Sequence, residues 1–431
     1  ILSLWRTDKN RIAGSLRIKN GKIVLAYNVL FSDSLEVFVV GLPKMDWAYA
    51  LCQCNSAWPP KAKYRQNEIA ANLHWPKITI RMQNHSVTAA AKKSLICHGM
   101  PRKPTKILVI RLSSIGDIVL TSPIIRSLHH CFPEAKIHFL TKKAFGSLVQ
   151  HHPSIDKVHL FAGDLAATIR ELKAEGFDQI VDLHRNIRSR RIKLQLGVAA
   201  TTYSKDRWSV LLRTKFGIGK LPKVHTVERY ARAITALGCR LDDLGLDFFM
   251  PNEARTLAQE IVGRHFSEKP VAVVLGGNYF TKRWPKEYFV ELLNRLGKPV
   301  LPLGGKTEAT DARWITEQLV VQNLNAVGQY DLMLGAALME KSSFVITHDT
   351  GLMHIATALG LSIYSIWGNT VPELGFAPYK ASKSVVIENK ELHCRPCTKL
   401  GYEKCPKGHF KCMIDLVPAK VLAEIQANSS L

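Results

Sequence analysis

From Lys106 onward the sequence predicts an α/β protein with two parallel-sheet units facing a cleft, and three observations carry that prediction. Short apolar runs alternate with helical periodicities, the pattern of parallel strands joined by right-handed crossovers. The pattern restarts after Pro251, which puts a boundary near residues 245–255. Several apolar runs end in glycine or polar turns, and open parallel sheets bind their ligands beyond the carboxyl ends of the strands.

Taken in order, residues 1–99 read unlike the rest. They hold Trp5, Trp47, Trp58 and Trp75, half of all tryptophans, and carry +9 of a net charge of +24. No apolar period persists long enough to define a series of elements there. Met100 directly precedes PRKPT and a clean strand, so Met100 is expected to be the natural start and residues 1–99 translated upstream sequence, with a real N-terminal extension as the alternative. KILVIRL then reads as a buried strand, SSIGD as a turn, IVLTSPIIRSLHHCF as an amphipathic helix and AKIHFLT as a strand. Strands follow at VHLF and QIVDLH. After Pro251 come PVAVVLGG, the KEYFVELLNRL helix, PVLPLGG and SSFVITHD, each strand leading into a loop.

The 431 residues suffice for two or three domains. No run of about 18 apolar residues marks a membrane span, and the first residues lack the order of a secretory signal. The charge makes nucleic acid, anionic headgroups or phosphorylated small molecules plausible partners. It concentrates between Leu183 and Lys223, where eleven Lys or Arg face a single acid, Asp206. That segment is either a solvated basic face or a cleft wall for a polyanion. Nine cysteines without a secretion signal are expected to be free thiols in a reducing compartment.

Four strand-end turns hold the residues that carry chemistry. In SSIGD, Asp117 is either a helix N-cap or a general base at the cleft mouth, able to take a proton from an attacking hydroxyl. In GGNYFTKRWP, glycines allow close backbone approach, Thr281 offers a hydroxyl and Lys282 a charge for a phosphate. In LGGKTEATDARW, Glu308 is either a surface residue at a helix start or a carboxylate for two ribose hydroxyls. The fourth turn, HDTGLMH, ends a strand and opens a helix at once. The amides from Thr350 to Leu352 and the helix dipole favour an anion there, with His354 one turn further on; plain N-capping is the alternative.

These four motifs, in this order, resemble glycosyltransferase family nine, the ADP-heptose:lipopolysaccharide heptosyltransferases, over about residues 104–420. The resemblance implies a GT-B architecture of two Rossmann-like domains, residues 100–250 for the acceptor and 251–431 for the nucleotide-sugar donor. It implies inverting transfer of heptose from ADP-heptose to the lipopolysaccharide inner core, without metal or other cofactor. Asp117 matches the catalytic base. Thr281 and Lys282 match residues facing the donor diphosphate, Lys282 stabilising the leaving group, and Glu308 the acid on the ribose. Asp349, Thr350, Gly351, Leu352 and His354 fall in the donor-site turn, with Asp349 near the transferred sugar. In DLHRNIRSRR, Arg185 and Arg188 are expected to meet the anionic Kdo and phosphate groups of the acceptor. A lipid-linked acceptor also implies peripheral contact with the cytoplasmic face of the inner membrane.

The tail places Cys394, Cys397, Cys405, His409 and Cys412 at zinc-like spacing. Similar Cys-rich tails in the family's second heptosyltransferase type imply no catalytic metal, so bound zinc and free thiols both stay open. Two other functions compete: a related transferase using another nucleotide sugar, and a non-catalytic nucleic-acid-binding protein. The ordered phosphate-type turns and the lack of a nucleic-acid motif disfavour the second, so no nucleic-acid partner is expected.

Overall fold

The computed structural model describes residues 103–428 except 206, 217, 222 and 278, together with three strands between residues 12 and 40. The chain divides into two compact units, Ile1–Leu95 and Ile96–Leu431. The four tryptophans of the first unit and Met100 lie outside the described residues.

In the first unit, β1 (Ile12–Lys19), β2 (Lys22–Phe31) and β3 (Ser34–Val40) form an antiparallel sheet in that order. This corrects the expectation that no elements could be defined there. The register pairs Lys19 with Lys22. The two residues between them are Asn20 and Gly21, the pair that two-residue hairpins favour, so a signal was present.

The second unit holds two five-stranded sheets, parallel throughout. The first contains β4 (Lys106–Ile110), β5 (Lys136–Lys142), β6 (Lys157–Phe161), β7 (Gln179–Asp182) and β8 (Ala199–Thr202), in the order β6-β5-β4-β7-β8. The second contains β9 (Val271–Val274), β10 (Val300–Leu303), β11 (Val345–His348), β12 (Ile363–Trp367) and β13 (Ser384–Glu388), in the order β10-β9-β11-β12-β13. Helices cover both faces, so central strands such as Val271–Val274 are buried at every residue, as their unbroken apolar sequence requires. Strand order reverses beside β4 in one sheet and beside β9 in the other. Those switch points are where the loops after neighbouring strands diverge and open a crevice.

SSIGD is not a simple turn. Ile115–Val119 forms a short helix, α1, and Ser122–Cys131 forms α2, with a break at Leu120 and Thr121 and Pro123 in the first turn of α2. The single amphipathic helix expected there is therefore two. Its continuous apolar stripe hid the break, although proline is favoured in a first helical turn and disfavoured in an interior.

The cysteine expectation also needs correction. Cys131, at the end of α2, and Cys239 form a disulfide with Cα atoms 5.7 Å apart, a separation suited to that bond. Cys394, Cys397, Cys405 and Cys412 are free. Absence of a secretion signal says nothing about two side chains that packing brings together 108 residues apart. Among the described residues no helix is long and apolar enough to cross a membrane.

Candidate active site

Loops after β4, β9, β10 and β11 converge on one cleft with a cavity of about 350 Å3, a size that suits a small ligand. It is lined by Asp117, Lys282, Glu308, Asp349, Thr350, Gly351, Leu352 and His354. Eight of the eleven expected site residues are thus brought together from loops up to 237 residues apart in sequence. Thr281, Arg185 and Arg188 are not among its lining residues.

Asp117 is not the N-cap of α1. That position is Ser114, and Asp117 sits in the first turn, where its Oδ2 accepts from Ser114 Oγ at 3.0 Å. Its Oδ1 accepts from Tyr230 Oη at 3.0 Å and lies 2.6 Å from an Arg111 guanidinium nitrogen. Tyr230 comes from α5, where the further helices that bear on the site are α3 (Leu165–Ala174), α4 (Ile187–Leu196), α5 (Thr226–Thr235), α6 (Lys286–Leu296), α7 (Gly351–Ala358) and α8 (Pro418–Ala427). Burial pushes the Asp117 carboxyl up, but the Arg111 charge and the hydrogen bonds from Ser114 and Tyr230 outweigh it and hold the pKa below the ordinary value. The carboxylate is therefore ionised and fixed in direction.

The amino end of α7 packs directly against α1. A Cβ on Gly351 would stand 2.7 Å from Ile115 Cβ and 3.0 Å from the Gly116 nitrogen, and one on Gly116 would stand 2.6 Å from His354 Cδ2. Both positions therefore need glycine for close approach. That contact sets the Asp117 helix beside the anion-favouring end of α7.

At that end Lys282 donates to Asp349 Oδ2 at 2.6 Å and to the Asp349 carbonyl at 3.1 Å, while Thr370 Oγ1 donates to the same carboxylate oxygen at 2.8 Å. The Trp284 amide donates to His348 Nε2 at 3.0 Å, which ties the Lys282 loop to β11. Burial lowers the pKa of His354 to about 4 against the raising effect of Asp349 and Asp117, so the ring is neutral at neutral pH. Its Nδ1 and the Thr350 hydroxyl are buried without a hydrogen-bond partner among the described protein atoms.

Glu308 is buried, not a surface residue at a helix start. Its Oε2 accepts from the Gly305 amide at 2.9 Å and its Oε1 from Thr307 Oγ1 at 2.7 Å, which aims the carboxylate into the cleft wall beside Gly276. Thr281 departs from expectation. Its hydroxyl donates to the Tyr402 carbonyl at 3.1 Å and accepts from the Tyr402 amide at 2.8 Å, so it fastens the Cys-rich segment and is spent on backbone.

Arg185 and Arg188 also lie elsewhere. Arg185 donates to the Tyr203 carbonyl at 3.2 Å, and Arg188 stands 5.9 Å over the Phe161 ring. A second cavity, about 480 Å3, opens on the other side of Asp117 and is lined by Arg111, Lys205, Arg229, Tyr230, Lys399 and Leu400 among others. Sequence reasoning missed these residues. Arg111 had a signal, because a charge inside the apolar run KILVIRL must find a partner when buried. Lys399 and Leu400 had none, since their place depends on the Thr281–Tyr402 latch.

The cysteine tail does not assemble a ligand set. Cys394 Sγ lies 3.9 Å from His409 Nε2, and Cys397 Sγ donates to the Cys394 carbonyl at 2.9 Å. Among the described residues no three of these side chains gather their ligand atoms within 4.8 Å. Burial raises the Cys397 thiol to about 11 and Cys412 to about 12, which keeps both protonated.

Comparison with known proteins agrees with this frame. Residues 165–405, more than half of the chain, match glycosyltransferase family 9 (heptosyltransferase). Lipopolysaccharide heptosyltransferase 1 of Pseudomonas aeruginosa is 25% identical over 75% of this chain and 94% of its own length. Lipopolysaccharide heptosyltransferase 2 of Escherichia coli is 24% identical over 75% of this chain and 98% of its own. Among solved structures, a family 9 glycosyl transferase from Veillonella parvula superposes with a TM-score of 0.63 at 23% identity, covering 75% of this chain and 97% of that one. E. coli ADP-heptose heptosyltransferase II gives 0.60 at 23% identity, with 75% and 98% covered. The two Rossmann-like sheets around a cleft are the GT-B arrangement, and the chain belongs to glycosyltransferase family 9, the heptosyltransferase family.

Proposed function

We propose that the chain transfers heptose from ADP-heptose to the inner-core oligosaccharide of lipopolysaccharide, with inversion and without a metal in the transfer step. In this reading residues 100–250 receive the acceptor and residues 251–431 hold the donor. The observation that carries it is the pair of buried, unpartnered polar atoms, Thr350 Oγ1 and His354 Nδ1, lining the same cavity as Asp117, Lys282 and Glu308. Buried polar groups are rarely left unpaired unless a ligand completes them.

In the transfer, Asp117 takes the proton of the acceptor hydroxyl as its oxygen attacks the anomeric carbon. The bond from that carbon to the β-phosphate oxygen breaks, and ADP leaves on the opposite face, which gives inversion. Negative charge growing on the diphosphate meets the amides at the start of α7, the Thr350 hydroxyl and a neutral N–H of His354. Lys282, with two of its three donors on Asp349, offers the third. Glu308 accepts from the ribose hydroxyls, and Asp349 orients Lys282 beside the sugar.

On the acceptor side, Lys205, Arg229 and Lys399 line the second cavity together with Arg111, which is paired with Asp117. Arg185 and Arg188 lie further out, where they meet anionic groups remote from the reacting hydroxyl. Exposed Ile187 and Leu194 share α4 with Arg190 and Arg191, a composition suited to resting on an anionic bilayer that carries the acceptor.

Transfer assays with ADP-heptose against a panel of truncated core acceptors test this reading. Thermal shifts with ADP, UDP and GDP test the donor, because a ligand bound only by the native state stabilises it with concentration. Stabilisation by UDP or GDP but not ADP would replace the donor. Steeply salt-dependent DNA binding with no transfer would replace the enzyme.

A further inference from the structure

We propose that His138, His159 and Glu175 form a binding site for a divalent transition metal of the zinc class, at the edge of the first sheet and outside the cleft. It is independent of the transfer chemistry above.

His138 lies on β5, His159 on the edge strand β6, and Glu175 immediately follows α3, so three adjacent elements supply one side chain each. His138 Nδ1 is 3.0 Å from His159 Nε2, and each of these nitrogens is 3.9 Å from a Glu175 carboxylate oxygen. Tetrahedral zinc, with bonds of about 2.0–2.2 Å, sets its ligand atoms roughly 3.3 Å apart. The 3.0 Å separation lies below that value and the two 3.9 Å separations, from His138 to Oε2 and from His159 to Oε1, lie above it, so a turn of the Glu175 carboxylate and small rotamer changes bring one oxygen to both nitrogens.

A second observation points the same way. His159 Nδ1 is 2.6 Å from Glu171 Oε1. A carboxylate on the far ring nitrogen holds the proton on Nδ1, leaves the Nε2 lone pair free for a metal, and fixes the ring plane; metal-bound histidines are usually supported in this way. Both histidines are buried with the Phe177 ring edge-on to them, which holds the two rings in place.

Without metal, one ring proton bridges the two imidazoles, and Glu175 is paired with Lys106 and Lys157, each at 2.5 Å. Lys106 is largely buried, but the Lys157 side chain is 52% exposed and can swing into water. A metal would take its place at Oε1. The bridging proton moves to the other nitrogen of His138, and water completes the fourth position. No electron is exchanged.

The test is Zn2+ titration of the full chain, free of any affinity tag, by calorimetry and equilibrium dialysis. Wild type should bind one equivalent more than His138→Ala or His159→Ala, and replacing the four tail cysteines by serine should leave that equivalent in place. Zn2+ should raise the melting temperature of wild type more than that of either histidine variant. Lys157→Ala removes the competing ammonium and should tighten binding several-fold. Equal stoichiometry in wild type and both histidine variants would overturn the site, as would loss of all binding with the cysteines alone. Lys157→Ala alters only a half-exposed side chain, so unchanged affinity there decides against the site even if the histidine variants do not fold.

Discussion

The two cavities that meet at Asp117 are built differently. In the cavity proposed for the donor, Lys282 is answered by Asp349, and the Glu308 carboxylate by an amide and a hydroxyl. What is left unanswered is neutral, the Thr350 hydroxyl and His354 Nδ1. The cavity proposed for the acceptor is walled by a series of cations and aromatic rings with Asp117 as its acid. A preorganised, charge-balanced pocket suits one small ligand of fixed shape, whereas a cationic basin suits an anionic partner whose shape varies.

Asp117→Asn removes the one group shared by both sides that can accept a proton. Transfer should fall by about 10²–10⁴-fold while ADP binding stays near wild type. Turnover close to wild type in that variant would sink Asp117 as the base. Lys282→Ala should lower kcat/KM by about 10–100-fold, the worth of a charge-assisted hydrogen bond, and weaken ADP as well. If ADP affinity held, the lysine would belong to Asp349 and not to the ligand.

Gly351→Ala tests the contact that joins the two halves. The added methyl meets Ile115 and the Gly116 backbone, so a loss of about 1–3 kcal/mol is expected in urea unfolding, together with weaker ADP binding. Unchanged stability would mean that α1 and α7 separate freely.

Acid should weaken the fold as a whole. Burial, the leading cause in each case, lowers His152, His184, His225, His348 and His354 to about 4. The unfolded chain binds those protons first as pH falls below about 6.5, so stability should decline from there toward pH 4 and be intact above it. Urea midpoints that do not move between pH 7 and 5 would contradict this. The smallest effect is expected from Arg185→Ala and Arg188→Ala, within a few-fold in acceptor KM. Lys399→Ala should exceed them; the reverse order would return the acceptor to the segment 183–191.

Much of this was legible because strand-end turns announce themselves. KILVIRL before SSIGD, and SFVIT before HDTG, change from a buried run to a polar turn within a few residues, so Asp117, Thr350 and His354 could be placed at carboxyl ends of strands. Thr281 and Arg185 show the limit. Their residue types suit a phosphate, but whether a hydroxyl or guanidinium faces the cleft or a neighbouring carbonyl depends on Tyr402 and Tyr203, whose positions come from tertiary packing. The disulfide was hidden for the same reason. Asn20-Gly21 is a local signal: it joins runs whose apolar residues recur with a period of two and show no helical or long apolar period.

Asp117, Phe376, Lys399 and Leu400 face both cavities. In the proposed transfer that common wall makes donor and acceptor thermodynamic neighbours. Any donor that displaces Leu400 or draws on Lys399 reshapes the space offered to the acceptor, and the acceptor must alter donor affinity by the same factor. The proposed transfer then makes order of addition depend on the loop that carries Lys399 and Leu400, which the paired hydrogen bonds between Thr281 and Tyr402 hold to the Lys282 loop.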